Sequence, residues 1–313
     1  MESSIPGSRR VAVLVPCYNE ASTIADVVAG FRAALPGAEI HVFDNASTDR
    51  TGEVARDAGA VVTYSPLPGK GNVVQHMFAT VEADWYIMVD GDSTYPPESA
   101  VALLAAAQEM RLGMMVGRRV TPPTELREAY RPLHQFGNRL LCTMIRKAFG
   151  SPIHDVFSGF RVFSREFVKT IPLHATGFQI EVEMTLQAIS KVFAIGEMDV
   201  PYKARPAGSV SKLNTCRDGM LVLAAFVAIC KDYRPALFFG SLAAILGVLS
   251  LAAGSAPIQD YLLFQWVYRV PLAILATGLG LLSALSLCIG MILETQLRYH
   301  NEMHRLVRHG LFR

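Results

Sequence analysis

The 313-residue sequence has too few cysteines, wrongly spaced, for a disulfide framework or a zinc site. Its five cysteines are an odd number, none forms a Cys-x-x-Cys pair, and Cys288 lies inside an apolar stretch. This pattern is typical of a reducing cytosolic environment. The opening residues, MESSIPGSRR, contain no apolar core before the first predicted strand, so we expect no signal peptide.

Strong net charge is also missing, since the basic residues exceed the acidic ones by only two. No basic stripe interleaved with aromatic residues occurs, and this absence argues against nucleic acid as a partner. The spacing GxxxxGK[ST] of a Walker A loop is absent as well, so we do not expect a nucleotide site of that kind.

Apolar residues, by contrast, make up 51% of the chain, and their excess lies in the C-terminal third. Two uncharged stretches, 235–259 and 270–293, are each long enough to cross a bilayer. Lys231 and Arg234 precede the first stretch and several arginines follow the second, whereas the loop at 255–269 holds few charges. The positive-inside rule predicts cytosolic ends and an external loop. A buried core hairpin is the alternative interpretation.

We therefore predict four parts of the chain. They are a cytosolic α/β domain at 1–215, an interfacial amphipathic helix and linker at 216–234, two transmembrane helices within 235–297 (about 235–256 and 270–293), and a basic cytosolic tail at 298–313. Small-residue pairs, Ala243 with Gly247 and Gly280 with Ala284, would let the two helices pack closely.

Residues 11–120 alternate short apolar runs with helical patterns, which predicts a mostly parallel sheet with helices on both faces. We expect strands at Val11–Val15, Ile40–Phe43, Ala60–Thr63, Trp85–Val89 and Gly113–Val116, and helices at 21–35, 50–58, 70–82 and 97–110. A helix from Pro132 to about 149 and further elements in 151–215 would follow. In such sheets ligands bind at the carboxyl ends of the strands.

Two carboxylates, Asp90 and Asp92, directly follow the predicted strand Trp85–Val89 and should face the same side of an extended chain. Carboxylate oxygens suit a hard divalent metal, Mg²⁺ or Mn²⁺, and such an ion suits a diphosphate. A solvated turn would also explain the Asp-Gly-Asp sequence, but its place beside other polar strand ends favours the metal. We predict that Asp92 ligates the metal and that Asp90 shares it or binds a nucleotide.

Two more polar segments follow predicted strands. In DNASTDRT (44–51), Thr48 or Asp49 can cap the next helix, whereas Asp44 can bond the edge of a base. In GKGN (69–72), Lys70 can lie near a diphosphate, and the flanking glycines would let the backbone approach it closely. A metal and diphosphate site tethered to a membrane indicates nucleotide-sugar chemistry on a lipid acceptor.

Four motifs together resemble glycosyltransferase family 2, which has the GT-A fold: VPCYNE (15–20), DNASTDRT (44–51), GKGN (69–72) and VDGDSTYP (89–96). The resemblance covers roughly residues 10–215 and implies a Rossmann-like α/β domain. It implies nucleotide contacts from Pro16, Tyr18, Glu20, Asp44, Lys70 and Asp90, and a metal contact from Asp92. Many relatives have a second Asp where Asn45 stands, so no role is carried over to Asn45.

The second half is similar to the polyprenyl-phosphate glycosyltransferases of that family, including dolichol-phosphate mannose synthases and bacterial bactoprenol glycosyltransferases. The matching segments are HDVFSGFR (154–161), GFQIEVEM (177–184) and GSVSKL (208–213), followed by the apolar tail. The QxxRW motif of processive polysaccharide synthases is missing, because Leu112 stands where Gln108 and Arg111 would require a Trp.

A lipid phosphate beside a nucleotide diphosphate requires cations, and arginine binds phosphate in a fork geometry. The cations of this region are Arg118, Arg119, Arg131, Arg139, Arg161, Arg205 and Lys212. The resemblance implies acceptor-phosphate contacts from Arg118 and Arg131, with Arg205 and Lys212 on a loop that closes over the site. We predict that Arg161 joins them, together with His134 and Asn138, which are four apart on the predicted helix and share a face. Any single arginine among them could instead be an ordinary surface charge. The residues predicted to bind the sugar or line the site are Ser158, Gln179, Glu181 and Glu183.

The resemblance implies inverting, metal-dependent transfer of one hexosyl or N-acetylhexosaminyl group from a nucleotide sugar to polyprenyl phosphate. A UDP-sugar is favoured as donor, and GDP-mannose stays open. A phosphate monoester has a second pKa near ~6, so a strong base is not required. The predicted catalytic residues are Asp90, Asp92 and Asp155, of which Asp155 is a candidate base with a positioning role favoured.

Two alternatives stay open: a family 2 enzyme that glycosylates a non-lipid glycan, and a non-catalytic membrane partner. We expect a multi-pass protein of the cell (inner) membrane, with the catalytic domain and both termini cytosolic. The sequence leaves open whether the chain forms a homo-oligomer.

Overall fold

The computed structural model describes residues 10–120, 142–143, 145–147, 149–150, 153–177, 179–203, 227–228 and 230–311. Five predicted acceptor-phosphate residues lie outside this part of the chain: Arg131, His134, Asn138, Arg205 and Lys212. Most of the helix predicted from Pro132 and of the interfacial helix also lies outside it. The chain divides into two compact units, the first made of Met1–Gly219 with Leu311–Arg313 and the second of Met220–Gly310.

The first unit alternates strands and helices in the predicted order. The elements are β1 (Val11–Cys17), α1 (Ile24–Ala34), β2 (Glu39–Asp44), α2 (Thr51–Asp57), β3 (Val61–Tyr64), α3 (Lys70–Thr80), β4 (Trp85–Met88), α4 (Glu98–Glu109), β5 (Met114–Val120), β6 (Arg161–Ser164), α5 (Arg165–Thr170), α6 (Ile180–Ser190) and β7 (Ile195–Pro201). The largest difference is at β5, which continues past Val116 to Val120 and carries two arginines in extended conformation.

The strands form a seven-stranded sheet in the order β3-β2-β1-β4-β6-β5-β7. Strand β6 runs antiparallel to its neighbours β4 and β5, whereas the other pairs are parallel, so the predicted mostly parallel sheet is confirmed. The register pairs Cys17 with Asp44 and Leu14 with Met88. The carboxyl ends of β1, β2 and β4 therefore meet at one edge, where the predicted polar residues follow.

Helices cover the sheet through apolar faces at helical spacing. In α1 the buried residues are Ile24, Val27, Val28 and Phe31, which recur every three or four positions and face the core. Phe31 meets Phe160 edge to face at 6.1 Å. All four residues of β4 are buried, because helices pack on both faces of this central strand.

The second unit contains two long helices, α7 (Pro235–Phe264) and α8 (Val270–Leu311). Both are long and apolar enough to cross a membrane. The helix α7 continues through Pro257 to Phe264, beyond the predicted end of the first span near 256, and the bounds of the span itself stay a prediction. Interior prolines are tolerated in membrane helices, where other groups satisfy the freed carbonyl. The helix ends at Gln265, whose φ of 54° is left-handed, so the connection is shorter than the predicted loop.

Small residues and serines join α7 to α8. The hydroxyl of Ser250 donates to the carbonyl oxygen of Ala276 at 2.7 Å, and that of Ser283 donates to the carbonyl oxygen of Ala243 at 2.7 Å. A Cβ at Gly247 would lie 3.3 Å from the Ser283 hydroxyl. These contacts agree with the close packing predicted from the small-residue pairs.

Candidate active site

The loops that follow β1 and β2 are tied together by side-chain bonds to backbone amides. The Asn19 side chain accepts from the Thr48 amide at 2.8 Å, and the Ser47 hydroxyl accepts from the Asn19 amide at 3.0 Å. The Glu20 amide donates to the Thr51 hydroxyl at 2.9 Å. The first two sequence motifs therefore form one continuous surface at the carboxyl edge of the sheet.

This surface carries four of the predicted nucleotide residues. Tyr18 is exposed, Pro16 and Glu20 are half-buried, and Asp44 accepts from the Ser47 amide at 3.0 Å. The structure thus brings the four side chains to the same edge. Their contact with a nucleotide stays a prediction.

Asn45 makes three side-chain hydrogen bonds to the backbone of its own chain. Its amide nitrogen donates to the carbonyl oxygens of Ser65 at 3.0 Å and Leu67 at 2.6 Å. Its oxygen accepts from the Gly69 amide at 2.9 Å. An aspartate has no donor for those two carbonyls, so the asparagine holds the loop that leads into α3.

Asp49 lies just before α2, whose N-cap position is Arg50 and carries no side-chain cap bond. It accepts from the amide of Thr51, at the start of α2, at 3.0 Å, and from the amide of Ala21 at 3.2 Å. Burial alone would raise the pKa of Asp49, but hydrogen bonds from Thr51 and Ala21 lower it below its ordinary value. The capping role predicted for Thr48 or Asp49 is wrong, because the N-cap of α2 is Arg50; Asp49 instead ties the start of α2 to the loop after β1.

A concentration of negative charge surrounds the buried thiol of Cys17. A Cβ at Gly91 would lie 2.6 Å from the Cys17 sulfur, so the turn between the two strand-end carboxylates rests on this side chain. Burial raises the pKa of Cys17 well above its usual range, and carboxylates raise it further: Glu20, Asp44, Asp90 and Asp92. Four predicted site carboxylates thus lie near one sulfur atom.

Asp90 and Asp92 differ in exposure and in partners. Asp92 is 3% exposed, and its Oδ1 accepts from the hydroxyl of Thr94 at 2.6 Å. The side chain of Asp90 is 28% exposed, and its Oδ1 accepts from Nζ of Lys70 at 2.6 Å. The described residues contain no group of three His, Cys, Asp or Glu side chains arranged to hold a metal. Two carboxylates nevertheless fit Mg²⁺ or Mn²⁺, which usually complete their ligands with substrate phosphates and water.

Lys70 opens α3 and lies between two acids. Its Nζ is 2.6 Å from Oδ1 of Asp90 and 2.6 Å from Oε1 of Glu181, which comes from the first turn of α6. Burial lowers the pKa of Lys70, but the charges of Asp90 and Glu181 outweigh this effect and raise it above the ordinary value. Lys70 is therefore a permanent cation. Glu181 is 3% exposed, and its Oε2 has no hydrogen-bond partner among the described residues.

The glycines on either side of Lys70 allow close packing against the backbone of Ala175 and Thr176, a contact that was not predicted from the sequence. Gly69 has a φ of 112°, and a Cβ there would lie 2.3 Å from the carbonyl oxygen of Thr176. A Cβ at Gly71 would lie 1.9 Å from the carbonyl oxygen of Ala175. We expected these glycines to admit a diphosphate. In the structure, the backbone of the loop before α6 occupies the space instead.

Glu183 holds that loop. Its carboxylate accepts from the amide of His174 at 3.0 Å and from the amide of Ala175 at 2.7 Å. Gln75 of α3 donates to the carbonyl oxygen of Ala175 at 3.0 Å. These contacts favour a structural role for Glu183 over the predicted role in lining the sugar site.

The other residues predicted to bind the sugar or line the site differ in burial and in their partners. Ser158 is fully buried and donates to the carbonyl oxygen of Gly117 at 2.6 Å, which favours a structural role. Gln179 is exposed at the N-terminus of α6. Glu181 is the member of the set that lies beside Lys70.

Asp155 binds Arg119 through both carboxylate oxygens, with distances of 2.7 Å to Nε and 2.8 Å to Nη2. Burial would raise the pKa of Asp155, but the Arg119 guanidinium outweighs this effect and lowers it below the ordinary value. The Asp155 amide donates to Glu197 at 2.9 Å, and Arg119 also lies over the Tyr202 ring at 5.5 Å. An ionised carboxylate with this partner fits positioning better than proton transfer.

Arg118 and Arg119 have different partners, because neighbouring side chains on a strand point to opposite faces of the sheet. Arg118 donates to Asp199 at 2.7 Å in a surface pair. The sequence offers both arginines as cations for the acceptor phosphate but assigns a site role to Arg118 alone, although the alternation along β5 could have distinguished the two.

Arg161 is fully buried, and its partners are protein groups. It donates to the carbonyl oxygens of Ser158 and Val156 and to the hydroxyl of Thr185. Burial lowers the pKa of Arg161 to about 10, although Glu181 and Asp155 oppose the shift. These contacts favour a structural role over the predicted contact with an acceptor phosphate.

Known proteins match both the sequence and the fold. A family described as glycosyl transferase family 2 matches residues 12–171. Glycosyltransferase AglJ of Haloferax volcanii is 33% identical over 85% of this chain and 85% of its own. A dolichyl-phosphate hexose transferase of the same organism is 27% identical over 72% of this chain and 95% of its own.

A likeness of fold extends to a glucosyl-3-phosphoglycerate synthase from Mycobacterium tuberculosis, solved with Mn²⁺, UDP and glucosyl-3-phosphoglycerate. Its TM-score is 0.57 at 22% identity, over 71% of this chain and 80% of that one.

Proposed function

Because the chain belongs to glycosyl transferase family 2 and has the GT-A fold, we propose that it transfers one sugar from a nucleotide sugar to polyprenyl phosphate. The transfer would invert the anomeric centre in one displacement. A relative named for dolichyl phosphate aligns over 95% of its own length, and this observation carries the choice of acceptor.

On the donor side, Asp90 and Asp92 would hold Mg²⁺ or Mn²⁺ at the end of β4. The bound ion would neutralise charge on the departing diphosphate. The residues around it, Pro16, Tyr18, Glu20 and Asp44, would contact the nucleotide, and Lys70 would add a positive charge beside the diphosphate. The UDP in the structural neighbour supports a UDP-sugar over GDP-mannose.

On the acceptor side, a phosphate oxygen of the lipid would attack the anomeric carbon. This oxygen is already ionised at neutral pH, so the site needs cations more than a base. Asp155 would position Arg119, one of the cations that we propose for the lipid phosphate. Arg131, His134, Asn138, Arg205 and Lys212 stay predicted partners of that phosphate, as does Arg118.

The two apolar helices would anchor the chain where its acceptor lies. Polyprenyl phosphate is confined to the bilayer, so an anchored enzyme meets it without extracting it. We propose the inner membrane as the location, with the catalytic unit and both termini cytosolic. The length and apolar surface of α7 and α8 support this arrangement.

A donor panel tests the proposal. Full-length protein purified in detergent would be mixed with polyprenyl phosphate, Mn²⁺ or Mg²⁺, and each labelled nucleotide sugar in turn. We expect organic-extractable label with one donor, lost when a chelator replaces the metal. Label on an oligosaccharide but not on the lipid would favour a glycan acceptor. Failure to bind any nucleoside diphosphate with metal would favour a non-catalytic partner.

A further inference from the structure

In the structure Lys70 binds Asp90, the same carboxylate that is proposed above to bind the metal and the nucleotide. Its Nζ lies 2.6 Å from Asp90, and the lysine side chain is only 13% exposed. A divalent cation on Asp90 would be a few ångströms from this ammonium, in a region where burial strengthens the repulsion. Asp90 therefore cannot hold Lys70 and a metal ion equally well at the same time.

Glu181 can retain Lys70 when Asp90 is occupied. Its Oε1 already accepts from Nζ at 2.6 Å, and its Oε2 is buried with no hydrogen-bond partner among the described residues. A buried acceptor without a partner costs free energy, and an ammonium carries three donors. By leaving Asp90, Lys70 could bond both oxygens of Glu181.

On the basis of the proposed function, we propose that Glu181 is a positioning residue: it holds Lys70 when a metal ion replaces Lys70 as the partner of Asp90. Without metal, Lys70 bridges Asp90 and Glu181. With metal and diphosphate at Asp90, Lys70 stays on Glu181 and its charge faces the diphosphate. Lys70 and the metal thus compete for Asp90. Because Glu181 keeps a hydrogen-bonded partner for Lys70, it lowers the free energy needed to release Lys70 from Asp90 and so favours metal binding.

Opposite effects on metal binding follow for the two partners. Lys70→Met removes the competitor and should tighten Mn²⁺ binding. Glu181→Gln leaves Asp90 as the remaining carboxylate partner of Lys70 among the described residues, so Mn²⁺ should bind more weakly. If Glu181 acts through Lys70, this weakening should shrink in the Lys70→Met background. If Glu181 acts only through its negative charge, Glu181→Gln would weaken Mn²⁺ binding equally in the native and the Lys70→Met backgrounds.

The experiment measures Mn²⁺ affinity of the full-length protein in detergent by electron paramagnetic resonance of the free ion, with and without UDP. We expect Glu181→Gln to weaken Mn²⁺ binding about fivefold or more, and by less than about twofold when Lys70 is Met. Lys70→Gln provides a second background that keeps hydrogen bonding without charge. Glu109→Gln, an exposed acid at the end of α4, removes one negative charge outside the site and should bind Mn²⁺ as the native chain does.

Equal weakening by Glu181→Gln in all backgrounds would overturn the inference. Weaker Mn²⁺ binding in both Lys70 variants, or no Mn²⁺ binding by the native chain, would overturn it as well. A chain that shows the exchange but labels no polyprenyl phosphate would instead remove the proposed acceptor, so the two failures are distinguishable.

Discussion

The two units of the chain differ in the polar contacts that join their elements, although the helical unit also buries a carboxylate, Asp260, which is 8% exposed and lies 3.8 Å from Arg269. The α/β unit buries whole charges, with Lys70 between two acids and Arg119 against Asp155. The helical unit joins its helices through hydroxyls that donate to backbone carbonyls, at Ser250 and Ser283. Charges of both signs are costly to bury, so their concentration at one sheet edge indicates a charged ligand there. Hydroxyl bonds require no such ligand and serve packing alone.

Removal of a proposed metal ligand should give the largest effect in the α/β unit. We expect Asp92→Ala to reduce turnover by more than about 100-fold, because the departing diphosphate would lose the ion that neutralises it. Label transfer to polyprenyl phosphate measures the effect, with Glu109→Gln as the matched loss of a distant charge. Near-native activity in Asp92→Ala would contradict the metal assignment.

Loss of a buried ion pair should have the next largest effect, this time on stability. Asp155→Asn leaves the Arg119 charge without its carboxylate and should cost about 3–5 kcal/mol. Asp199→Asn removes the exposed partner of the neighbouring Arg118 and should cost at most about 1 kcal/mol. Apparent Tm values of the two variants in detergent, compared with the native chain, measure the difference. Similar shifts would show that burial does not distinguish the two pairs.

A smaller effect of the same pair should appear with pH. Arg119 lowers the folded-state pKa of Asp155 below that of the unfolded chain. The ionised carboxylate therefore contributes stability above an ordinary Asp pKa of about 3.9, and this contribution is lost as pH falls through the lower folded value. The Tm difference between the native chain and Asp155→Asn should be constant near neutral pH and shrink below about pH 4. A constant difference down to pH ~3 would contradict this origin.

The smallest effects are expected in the helical unit. Ser250→Ala and Ser283→Ala should each destabilise the hairpin by about 0.6 kcal/mol, the average for hydrogen bonds between membrane helices. Ser255→Ala is the matched control, because its hydroxyl donates to Ala252 of the same helix. Detergent-induced unfolding of the full chain provides the measurement. A loss of several kcal/mol at either serine would show that the two units do not differ in this respect.

Much of the sheet could be predicted because it depends on local patterns. The apolar run at Trp85–Val89 predicted a buried strand, observed at Trp85–Met88, and its end placed Asp90 and Asp92 at the ligand edge. The pairing of Lys70 with Glu181 could not be predicted, because it arises where the starts of two helices far apart in sequence come together. No periodicity records such a contact.

Arg161 shows a second limit of prediction from sequence. Arginine is rarely fully buried, and the motif alone favoured a phosphate contact. Its burial depends on the carbonyls of Val156 and Ser158, which the fold of the preceding turn directs at the guanidinium.

The close approach at Gly71 also limits how the chain can evolve. At Gly113 an added methyl would meet the side chain of Phe193, and a smaller residue at that second position could restore the fit. At Gly71 it would meet the carbonyl oxygen of Ala175, an atom that every amino acid retains. Substitution of Gly71 therefore has no single compensating change at its neighbour. Selections for suppressors should recover second-site revertants of Gly113 variants, and true reversion of Gly71 variants.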